Sequence, residues 1–554
     1  MEKDIVIVGS GGAGLSAAIT AAKSGLDVLV VEKTRYFGGT TALSGGGIWI
    51  PANSIAEREG LHDTPEAAAK YISGVVGDIV REDVLDTFVH SGREMLDFLL
   101  ANSEVEFSIN HAEPDYYQDV EGAVIKGRLL NPVNYDGRLL ERDDLLAIRP
   151  PLQEFNAPMG FMVSFDDIPH LMSVGKNVAS TVHVLKMVGR YAMDRLKYPR
   201  GTHLTMGNAL IARMLRSARA AGVNLLNNAP MKRLVSENGR VVGIEIEHNG
   251  KTEVIRARKG VILASGGFSA SLDWRRKYIP YPEHHVSFLP EGNTGDGLQS
   301  AIDLGAELED GGQHGNAAFT IMSVYHKPDG TLGKYPHVYL DRTKPGCIAV
   351  NSEGKRFGNE AAVDLYKSMH DTGSVPAHLV CDHKFIKKYG LGLVLPGGLR
   401  LGKLLKAGYI IKGDTLEELA RNIGADPANL AETVAKNNQY AKDGIDPEFH
   451  KGETLVDKAL GDPSHGPNPC LGPIETGPFY AVKIFPGDGS TMLGLKVDGR
   501  TRVVNRETGQ PIPGLYACGL DMNVLWRGRE PAHGSYNGLG LTFGYVAART
   551  AAGD

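Results

Sequence analysis

The sequence predicts an α/β fold with two domains. Its 554 residues exceed one typical domain. The chain begins with an apolar strand over residues 4–8, a glycine turn, a helix of small residues that ends near Ser24, and a second strand over 27–31. A further apolar run over 261–264 also ends in small residues. This order of elements is typical of a Rossmann-like sheet.

The first glycine turn, Gly9-Ser10-Gly11-Gly12-Ala13-Gly14, predicts a phosphate site. We expect Gly9 to make the tight turn, Gly11 to let the backbone approach a pyrophosphate, and Gly14 to let the helix lie close to the strand. The helix N-terminus offers N–H groups and a positive dipole end to a phosphate. Glu32 follows about 20 residues later, where an acid hydrogen-bonds a ribose. The context therefore predicts dinucleotide binding.

A run of small residues over 38–51 follows the acid and contains Gly38-Gly39-Thr40-Thr41 and Ser44-Gly45-Gly46-Gly47. With the turn before it, this run resembles the flavoprotein family of fumarate reductases, succinate dehydrogenases and 3-ketosteroid 1-dehydrogenases. In that family the run follows the FAD pyrophosphate and passes the flavin ring. No histidine stands in it to bond to the flavin, so the resemblance implies non-covalent FAD. The cofactor-binding residues are then Gly9, Gly11, Gly12, Ala13, Gly14, Glu32, Lys33, Gly39, Thr40, Thr41, Ser44, Gly45, Gly46, Ala264, Gly266, Gly519, Asn537 and Leu539.

The resemblance extends over nearly the whole chain and divides it. It implies a first FAD-binding part over 1–300, an inserted α+β substrate-capping domain over 301–475, and a return to the FAD-binding domain over 476–554. The capping part contains the run 354–360, which resembles the family's Gly-x-Arg-Phe-x-Asn-Glu signature. Residues 137–201 match weakly. Their apolar stripe, on a helical stretch over 168–197, indicates core, an oligomer contact, a lid or a shallow membrane contact.

Three positions argue against fumarate or succinate as the substrate. Two carboxylates need Arg and His partners, because a buried unpaired charge is costly. Fumarate reductases place an Arg where Asp364 stands, a His within the stretch that is 486–492 here, and an Arg where Asn537 stands. All three are absent from this chain.

The ketosteroid dehydrogenase pattern fits better, with departures. The segment Pro114-Asp115-Tyr116-Tyr117 predicts either a turn with exposed rings or loop packing. In the ketosteroid dehydrogenases a Pro-Asp-Tyr segment supplies an active-site phenol, and this resemblance implies Tyr116 first and Tyr117 second. The family's final Tyr-Pro-Gly-x-Gly binds the substrate ketone; here Glu530 replaces the tyrosine and Gly534 keeps the N–H donor. A protonated Glu530 would donate to a ketone if burial raised its pKa. The family's base, a tyrosine, falls at Asp364, with Tyr366 two residues on. The base is therefore Asp364 or Tyr366.

We interpret the chain as an FAD-dependent oxidoreductase acting on CH–CH groups. It would introduce a C=C bond α,β to the ketone of an alicyclic substrate, either a 3-ketosteroid or a smaller cyclohexanone-like compound. The steps are abstraction of the α-proton and transfer of the β-hydride to flavin N5. The alternative is a flavin-dependent ene-reductase that acts on an activated alkene. A quinone or another acceptor would take the electrons, since no nicotinamide-binding repeat is evident.

Composition sets further expectations. The net charge of −6 gives no electrostatic reason to expect nucleic acid. The four cysteines, Cys347, Cys381, Cys470 and Cys518, have no Cys-x-x-Cys spacing, so we expect neither a disulfide framework nor a metal site. The first strand begins by Asp4, so we expect no signal peptide. No apolar run approaches the length of a membrane span. We expect a cytoplasmic protein, peripheral to the membrane if 137–201 binds lipid, that forms a homo-oligomer if 137–201 is an interface.

Overall fold

The computed structural model describes residues 1–157, 160–164, 166–312, 317–327, 329–338 and 341–553. The chain forms two compact units. The first unit contains Met1–Trp274, Leu289–Asn316 and Ser490–Asp554, and the second unit contains Arg275–Phe288 and Ala317–Gly489. The domain limits predicted from the sequence stay predictions, because a compact unit is not by itself a functional domain.

The described strands are, in chain order, β1 Glu2–Val8, β2 Val28–Val31, β3 Ile48–Trp49, β4 Phe107–Ile109, β5 Leu129–Pro132, β6 Tyr135–Asp136, β7 His203–Leu204, β8 Asn224–Leu226, β9 Met231–Glu237, β10 Arg240–His248, β11 Lys251–Leu263, β12 Val286–Ser287, β13 Leu308–Glu309, β14 Ala317–His326, β15 Leu332–Pro336, β16 Cys347–Val350, β17 Ala377–Cys381, β18 Ile410–Gly413, β19 Phe479–Thr491, β20 Gly494–Leu495, β21 Arg502–Val504 and β22 Pro511–Ala517.

The described α-helices are α1 Gly12–Lys23, α2 Ser54–Arg58, α3 Pro65–Val76, α4 Glu82–Asn102, α5 Arg142–Ala147, α6 Asp167–Met172, α7 Val178–Lys197, α8 Met206–Ala220, α9 Leu272–Tyr278, α10 Asp296–Asp303, α11 Leu365–Asp371, α12 His383–Lys388, α13 Leu401–Lys406, α14 Leu416–Ile423, α15 Pro427–Asp443, α16 Leu455–Leu460 and α17 Ser535–Ala552.

A largely parallel sheet forms the centre of the first unit. Its main path runs β21-β22-β11-β1-β2-β8, with β10 and β9 added beside β11. The β1 strand pairs in parallel with both β2 and β11, so that Val8 lies between Val31 and Leu263. Helices α1 and α17 pack against each other on this sheet, and α1 also contacts α8. The predicted α/β class with a Rossmann-like sheet is confirmed.

The β11 strand is longer than the sequence indicated. The sequence predicts separate strands over 253–256 and 260–264, but β11 runs unbroken from Lys251 to Leu263. Gly260 is the reason that the strand continues past the apparent break. Its φ of +145° suits glycine, and a Cβ there would lie 2.5 Å from the carbonyl oxygen of Gly514. The strand thus passes close to the start of its parallel neighbour β22.

The second unit is built on a mixed sheet around β19. The order is β15-β14-β19-β17-β16, and β12 and β18 also pair with β19. The strand β12 runs parallel to the end of β19, with Ser287 opposite Asp488. Helices α14 and α15 cover the other end, where a core forms from the buried residues Ile348, Val350, Val380, Leu419, Leu430, Val434, Ile474 and Phe479.

The 168–197 stretch is two helices rather than one. The chain breaks after α6, and Asn177 caps α7 by accepting a hydrogen bond from the Ser180 N–H at 3.1 Å. Within α7, an apolar face points to solvent: Val178, Val182, Leu185, Met193 and Leu196 are between 44% and 84% exposed. Of the alternatives for this stripe, the core position is therefore wrong, and the oligomer contact, the lid and the shallow membrane contact stay predictions. In the described parts of the chain, no helix is both long and apolar enough to cross a membrane.

Candidate functional site

The glycine turn between β1 and α1 has the backbone that close packing requires. Gly9 has a φ of +107°, and a Cβ on it would lie 2.2 Å from the carbonyl oxygen of Ala264. A Cβ on Gly14 would lie 2.1 Å from the carbonyl oxygen of Gly9. At Gly11 no heavy atom lies within 4 Å of a built Cβ. Gly9 and Gly14 thus hold strand and helix together, while Gly11 faces open space at the N-terminus of α1.

Two residues after β2 are fixed by hydrogen bonds. The Glu32 carboxylate accepts from the Ser10 hydroxyl at 2.5 Å and from the Thr34 N–H at 2.9 Å. It is 8% exposed and also accepts from the Ser10 N–H at 3.3 Å and from the Thr34 hydroxyl at 2.9 Å, so each of its oxygens has two donors. Lys33 instead binds the Thr294 hydroxyl at 2.5 Å and Asp296 at 2.7 Å. The carboxylate therefore stands next to the glycine turn, and the ammonium reaches the start of α10.

The 38–47 run is tied to α1 and to α17. The Thr41 hydroxyl accepts from the Gly12 N–H at 3.1 Å and donates to the Asn537 amide oxygen at 3.2 Å. The amide nitrogen of Asn537 donates to the Ser44 hydroxyl at 3.2 Å and to the Gly47 carbonyl at 3.1 Å. Residues from the two ends of the sequence thus meet above the glycine turn.

The other predicted cofactor residues lie around the same turn. Gly39 lies beside Gly11, and Gly519 beside Ala13, with distances of 3.3 and 3.1 Å from a built Cβ to the neighbour's Cα and Cβ. The rest lie on adjoining segments: Thr40, Gly45 and Gly46 on the 38–47 run, Ala264 and Gly266 directly after β11, and Leu539 on α17. The structure therefore brings the whole predicted set into one unit.

Asp521 is a buried acid in this region that no sequence motif indicated. Its carboxylate accepts from the Ser265 N–H, from the Ser265 hydroxyl at 3.0 Å, and from the Gly267 N–H at 3.4 Å. Burial raises its pKa to about 6, and these donors only partly offset the burial. Asp521 thus holds the chain after β11 in place from the segment that follows β22.

A second group of residues surrounds the N-terminus of α17. Gly534, with a φ of +81°, caps the helix. Its carbonyl accepts from the Trp49 N–H at 3.1 Å. The Ser535 hydroxyl donates to Glu530 at 3.2 Å. The Tyr536 phenol lies close enough to Glu530 that burial and this carboxylate together raise its pKa. Tyr536 is a candidate that the sequence reasoning missed, because no family motif places a phenol there.

The 110–117 segment is held against this helix start. The Tyr116 N–H donates to the Pro531 carbonyl at 2.9 Å. The Tyr71 hydroxyl also donates to that carbonyl, at 2.6 Å, and accepts from the Tyr117 N–H at 3.2 Å. The prediction that the rings of Tyr116 and Tyr117 are exposed is wrong, because both are partly buried. Tyr116 and Gly534 are therefore brought into one site.

A buried acid, Asp115, holds the 110–117 segment in place. Asp115 is 3% exposed; it accepts from the Trp49 indole at 2.8 Å and pairs with Arg128 at 2.8 Å. Arg128 in turn binds Asp63 at 2.7 Å. Burial raises the pKa of Asp115, and the arginine only partly opposes this shift. Asp115 thus has a structural role and fixes the backbone next to Tyr116.

An ion pair links the two segments of the site. His533 Nδ1 lies 3.0 Å from a Glu113 oxygen, and the Asn110 amide donates to the other oxygen at 3.1 Å. Burial opposes the charged form of both groups, but their mutual attraction outweighs it. The pKa of His533 is therefore raised and that of Glu113 is lowered. The pair places a positive charge directly beside Gly534.

The two candidate bases lie on the second unit, at the start of α11. Asp364 precedes the helix; its side chain is 36% exposed and pairs with Lys367 at 3.0 Å. Tyr366 is 3% exposed, and its ring lies edge-on to that of His370. The two residues therefore differ sharply in environment, although they are only two positions apart.

The 354–360 run is a buried charge network. Arg356 binds Glu360 at 2.9 Å and Asp446 at 2.8 Å, and Lys451 lies 3.2 Å from Glu360. Burial would raise the pKa of Glu360, but the two cations outweigh it and lower this pKa to about 2. Glu360 also accepts from the Ala349 N–H at 2.9 Å. The signature thus fixes the loop before α11 to β16.

A hydrogen-bonded Ser–His–Asp chain lies on β14 and the segment after β15. His337 Nε2 lies 2.8 Å from the Ser323 hydroxyl, and Nδ1 lies 2.6 Å from Asp341. The order matches a nucleophilic triad. However, Ser323 and His337 are 0% exposed, and the Tyr409 hydroxyl lies 2.7 Å from the Ser323 hydroxyl. The chain is therefore a packing element. No cluster of metal-ligating side chains occurs within the described ranges.

Comparison with known proteins agrees with this geometry. The profile of a family described as FAD binding domain matches residues 4–538. The chain is 38% identical over 568 residues to 4-oxocyclohex-2-ene-1-carboxylate 5-dehydrogenase of Sinomonas cyclohexanicum, which covers 99% of this chain and 93% of that protein. It is 37% identical over 568 residues to 3-oxosteroid 1-dehydrogenase of Mycolicibacterium smegmatis, with 99% and 96% covered.

A solved structure shares the whole fold. The crystal structure of 3-ketosteroid Δ1-dehydrogenase from Sterolibacterium denitrificans, in complex with 1,4-androstadiene-3,17-dione, matches with a TM-score of 0.91 at 35% identity. The match covers 100% of this chain and 99% of that one. Fold and site thus define an FAD-dependent oxidoreductase. The chain belongs to the FAD-binding flavoprotein family that includes the 3-oxosteroid 1-dehydrogenases, whose members act on CH–CH groups.

The residues present fit FAD. Gly11 borders open space at a helix N-terminus, whose first N–H groups have no partner within the helix. The Glu32 carboxylate lies beside the same glycine turn through its bond to Ser10, and the 38–47 run lies beside the start of α17. When bound, FAD supplies the two-electron acceptor for the reaction. Which of these residues contact the cofactor, and that FAD is held non-covalently, stay predictions.

Proposed function

We propose that this protein introduces a C=C bond between the α and β carbons of an alicyclic ketone, either a 3-ketosteroid or a smaller cyclohexanone-like compound. The observation that carries the proposal is the junction of the 110–117 and 530–537 segments. It puts Tyr116 and the N–H of Gly534 in one site. The names of the relatives, a 4-oxocyclohexene carboxylate dehydrogenase and 3-oxosteroid dehydrogenases, support this substrate class.

The N-terminus of α17 provides the ketone-binding group. The Gly534 N–H would donate to the carbonyl oxygen, and the positive end of the helix dipole would stabilise the enolate that develops there. The His533 cation, held by Glu113, adds to this positive potential. Glu530 and the Tyr116 phenol are the further candidates to contact the ketone. The substrate oxygen is thereby polarised, which acidifies the hydrogen on the α-carbon.

Of the two candidate bases, the environments favour Tyr366. The Asp364 carboxylate is engaged by Lys367 at 3.0 Å, and its side chain is 36% exposed. Tyr366 is buried beside the imidazole of His370, which is suited to take a proton from a phenol. The Tyr366 oxygen would take the α-proton, and the electron pair of the broken C–H bond would become the new C=C as the β-hydrogen leaves as hydride.

Analysis of the product tests the proposal. The purified holoenzyme would be incubated with 4-oxocyclohexane carboxylate or androstenedione and an artificial electron acceptor, and the product identified by mass spectrometry. We expect an enone that has lost two hydrogens, and a much slower reaction in Tyr366→Phe than in Asp364→Asn. Conversion of an enone or fumarate by chemically reduced enzyme, with no ketone oxidised, would instead support the ene-reductase alternative.

We further propose that a quinone takes the electrons from the reduced flavin.

We also propose that α7 attaches the protein to an anionic membrane surface. The exposed apolar face of α7 is flanked by the exposed cations Lys176, Lys186 and Lys197. An amphipathic helix with basic flanks binds such surfaces in the plane of the interface. The alternative is that a second copy of this chain covers the same face in a homo-oligomer. A cytoplasmic location is consistent with either arrangement.

Vesicle flotation distinguishes these occupants. We expect the protein to float with vesicles that contain phosphatidylglycerol and less so with neutral ones, and Leu185→Glu to reduce flotation several-fold. Leu399→Glu is the matched control, because Leu399 is similarly exposed, at 58% against 64%, but lies outside α7. A wild-type dimer by light scattering that Leu185→Glu makes monomeric, with no flotation, would show that α7 is an oligomer contact instead.

A further inference from the structure

Three ionisable side chains in the second unit lie behind Tyr366. The ring centroid of His370, one turn further along α11, lies 5.8 Å from that of Tyr366, with the ring planes at 79°. The ring of His285 follows, with its centroid 5.5 Å from that of His370. His285 Nδ1 lies 2.9 Å from an Asp488 carboxylate oxygen. We refer to His370, His285 and Asp488 as the histidine chain.

The inner pair of the histidine chain is buried and incompletely satisfied. The side chains of His285 and Asp488 are both 0% exposed. His285 Nε2 and Asp488 Oδ1 have no hydrogen-bond partner among the described residues. A buried polar atom without a hydrogen bond costs free energy, so each such atom needs an explanation. The imidazole of His370 lies next to His285, and this arrangement is consistent with a path along which a proton moves between the two rings.

The backbone around the pair is held firmly. The residues that follow His285 form β12, which pairs in parallel with the end of β19, and the Phe288 N–H donates to the Asp488 carbonyl at 3.3 Å. The guanidinium of Arg275 donates to the His285 carbonyl. The imidazole is therefore presented from the residue directly before β12, and the carboxylate from β19, to which β12 is paired.

Resting on the proposed function, we propose that the histidine chain accepts the phenol proton of Tyr366, which leaves Tyr366 able to take the α-proton of the substrate. The phenol first gives its proton to His370, which leaves the phenolate as the base. The phenolate then takes the α-proton as the α C–H bond breaks and its electron pair forms the C=C. The proton on His370 passes to His285, where the Asp488 carboxylate stabilises the imidazolium that forms. The α-proton stays on the Tyr366 oxygen, which is then a phenol again. The β-hydride and its two electrons go to FAD.

Other charged and titratable groups border the histidine chain. The Tyr281 ring stacks on His370 with centroids 5.9 Å apart. Arg275 and Lys334 bind backbone carbonyls of His285 and Ser287, and the Asp364–Lys367 pair lies on α11. Apart from Asp364, these groups are cations or a phenol, so Asp488 is the carboxylate placed to stabilise a proton on His285. Removing this carboxylate should therefore strongly lower the rate of flavin reduction.

The test is the pH dependence of flavin reduction in the Asp488→Asn holoenzyme. With an alicyclic ketone under anaerobic conditions, we expect the rate near neutral pH to fall by about 100-fold, the lower end of the usual contribution of proton transfer by a positioned side chain. We expect the rate to recover towards alkaline pH, because hydroxide then deprotonates Tyr366 without the histidine chain. A solvent isotope effect larger than that of the wild type should accompany the loss. A purely structural defect would not be rescued by alkaline pH.

Two further variants keep the test decisive. His285→Gln should behave like Asp488→Asn and serves in its place if that variant does not fold. His378→Gln is the matched control, because His378 is also buried, at 6% exposed, with an unpartnered Nε2, but lies on β17. We expect its pH profile to equal that of the wild type. Flavin content and thermal unfolding are measured for every variant.

The outcomes separate this proposal from the proposed function. If ketones bleach the wild-type flavin and Asp488→Asn or His285→Gln keeps the wild-type rate and pH profile, the histidine chain takes no part and the proposal is overturned. If a variant loses activity equally at all pH values, its role is structural and the proposal is equally overturned. If no ketone bleaches the wild type, the proposed function itself fails, and the proposal is overturned with it.

Discussion

At the scale of single residues, buried carboxylates differ in charge because their neighbours differ. Glu360 lies between Arg356 and Lys451, and these cations lower its pKa to about 2 despite burial. Asp521 is equally buried but has only neutral donors, so burial raises its pKa to about 6. The first stays ionised under all ordinary conditions, whereas the second takes up a proton in mildly acidic solution. Residue type alone does not reveal this difference; the neighbours decide it.

Glu113→Gln should lower the free energy of unfolding by about 1.5–3 kcal/mol near neutral pH, since it removes a hydrogen bond between charged groups. The pKa of His533 is raised, so the stability due to the pair is present below the ordinary histidine pKa and is lost as the pH rises through the raised value. The pKa of Glu113 is lowered, so this stability is also lost as the pH falls through that lowered value.

Denaturant unfolding of wild type and variant from pH 3 to 9 measures this effect. The difference between the two proteins should be largest between the two shifted pKa values and shrink on either side. Glu121→Gln is the control, because Glu121 is exposed and pairs only with Lys70 at the surface. A difference that does not change with pH would show that the Glu113–His533 pair is not ionised.

At the scale of elements, the sequence predicts the first helix and strands well and the later ones less well. The helix expected to end near Ser24 is α1, which ends at Lys23, because glycine punctuation and apolar periodicity agree there. The 168–197 helix is split because Asn177 competes as a cap, a local signal that an apolar stripe conceals. The continuity of β11 depends on Gly514 from another part of the chain, which no local pattern encodes.

Gly11 and Gly14 should respond differently to substitution, although they stand in one motif. Gly11→Val should fold normally, because the space at its Cβ is open, but lose bound flavin, since the side chain would occupy the pyrophosphate position. Gly14→Ala should lose flavin and also stability, since its Cβ would lie 2.1 Å from the Gly9 carbonyl oxygen.

Flavin absorbance per protein and the thermal midpoint measure the two effects separately. Gly402→Ala is the control, because this helical glycine on α13 also has no atom within 4 Å of a built Cβ. It should keep both flavin and stability. A Gly11→Val protein with full flavin content would contradict the placement of the cofactor.

At the scale of the whole molecule, the candidate site depends on residues that are distant in sequence. The family resemblance selected Tyr116, Glu530 and Gly534, and in the structure their two segments meet, because the Pro531 carbonyl accepts from the Tyr116 N–H. Tyr536 and the Glu113–His533 pair could not be selected in this way, because they depend on a turn of α17 and on a contact between remote segments. The same holds for His285 and Asp488, which meet only through the pairing of β12 with β19.

Anaerobic stopped-flow absorbance of the flavin band tests the central claim most directly. The wild-type holoenzyme would be mixed with androstenedione, cyclohexanone, 4-oxocyclohexane carboxylate and succinate in turn. We predict bleaching by at least one ketone and none by succinate, because the Arg and His partners of a dicarboxylate are absent at Asp364, 486–492 and Asn537. The ketone that reduces the flavin fastest would indicate the size of substrate that the site accepts. Bleaching by none of the ketones, with reoxidation of the reduced enzyme by fumarate, would contradict the account.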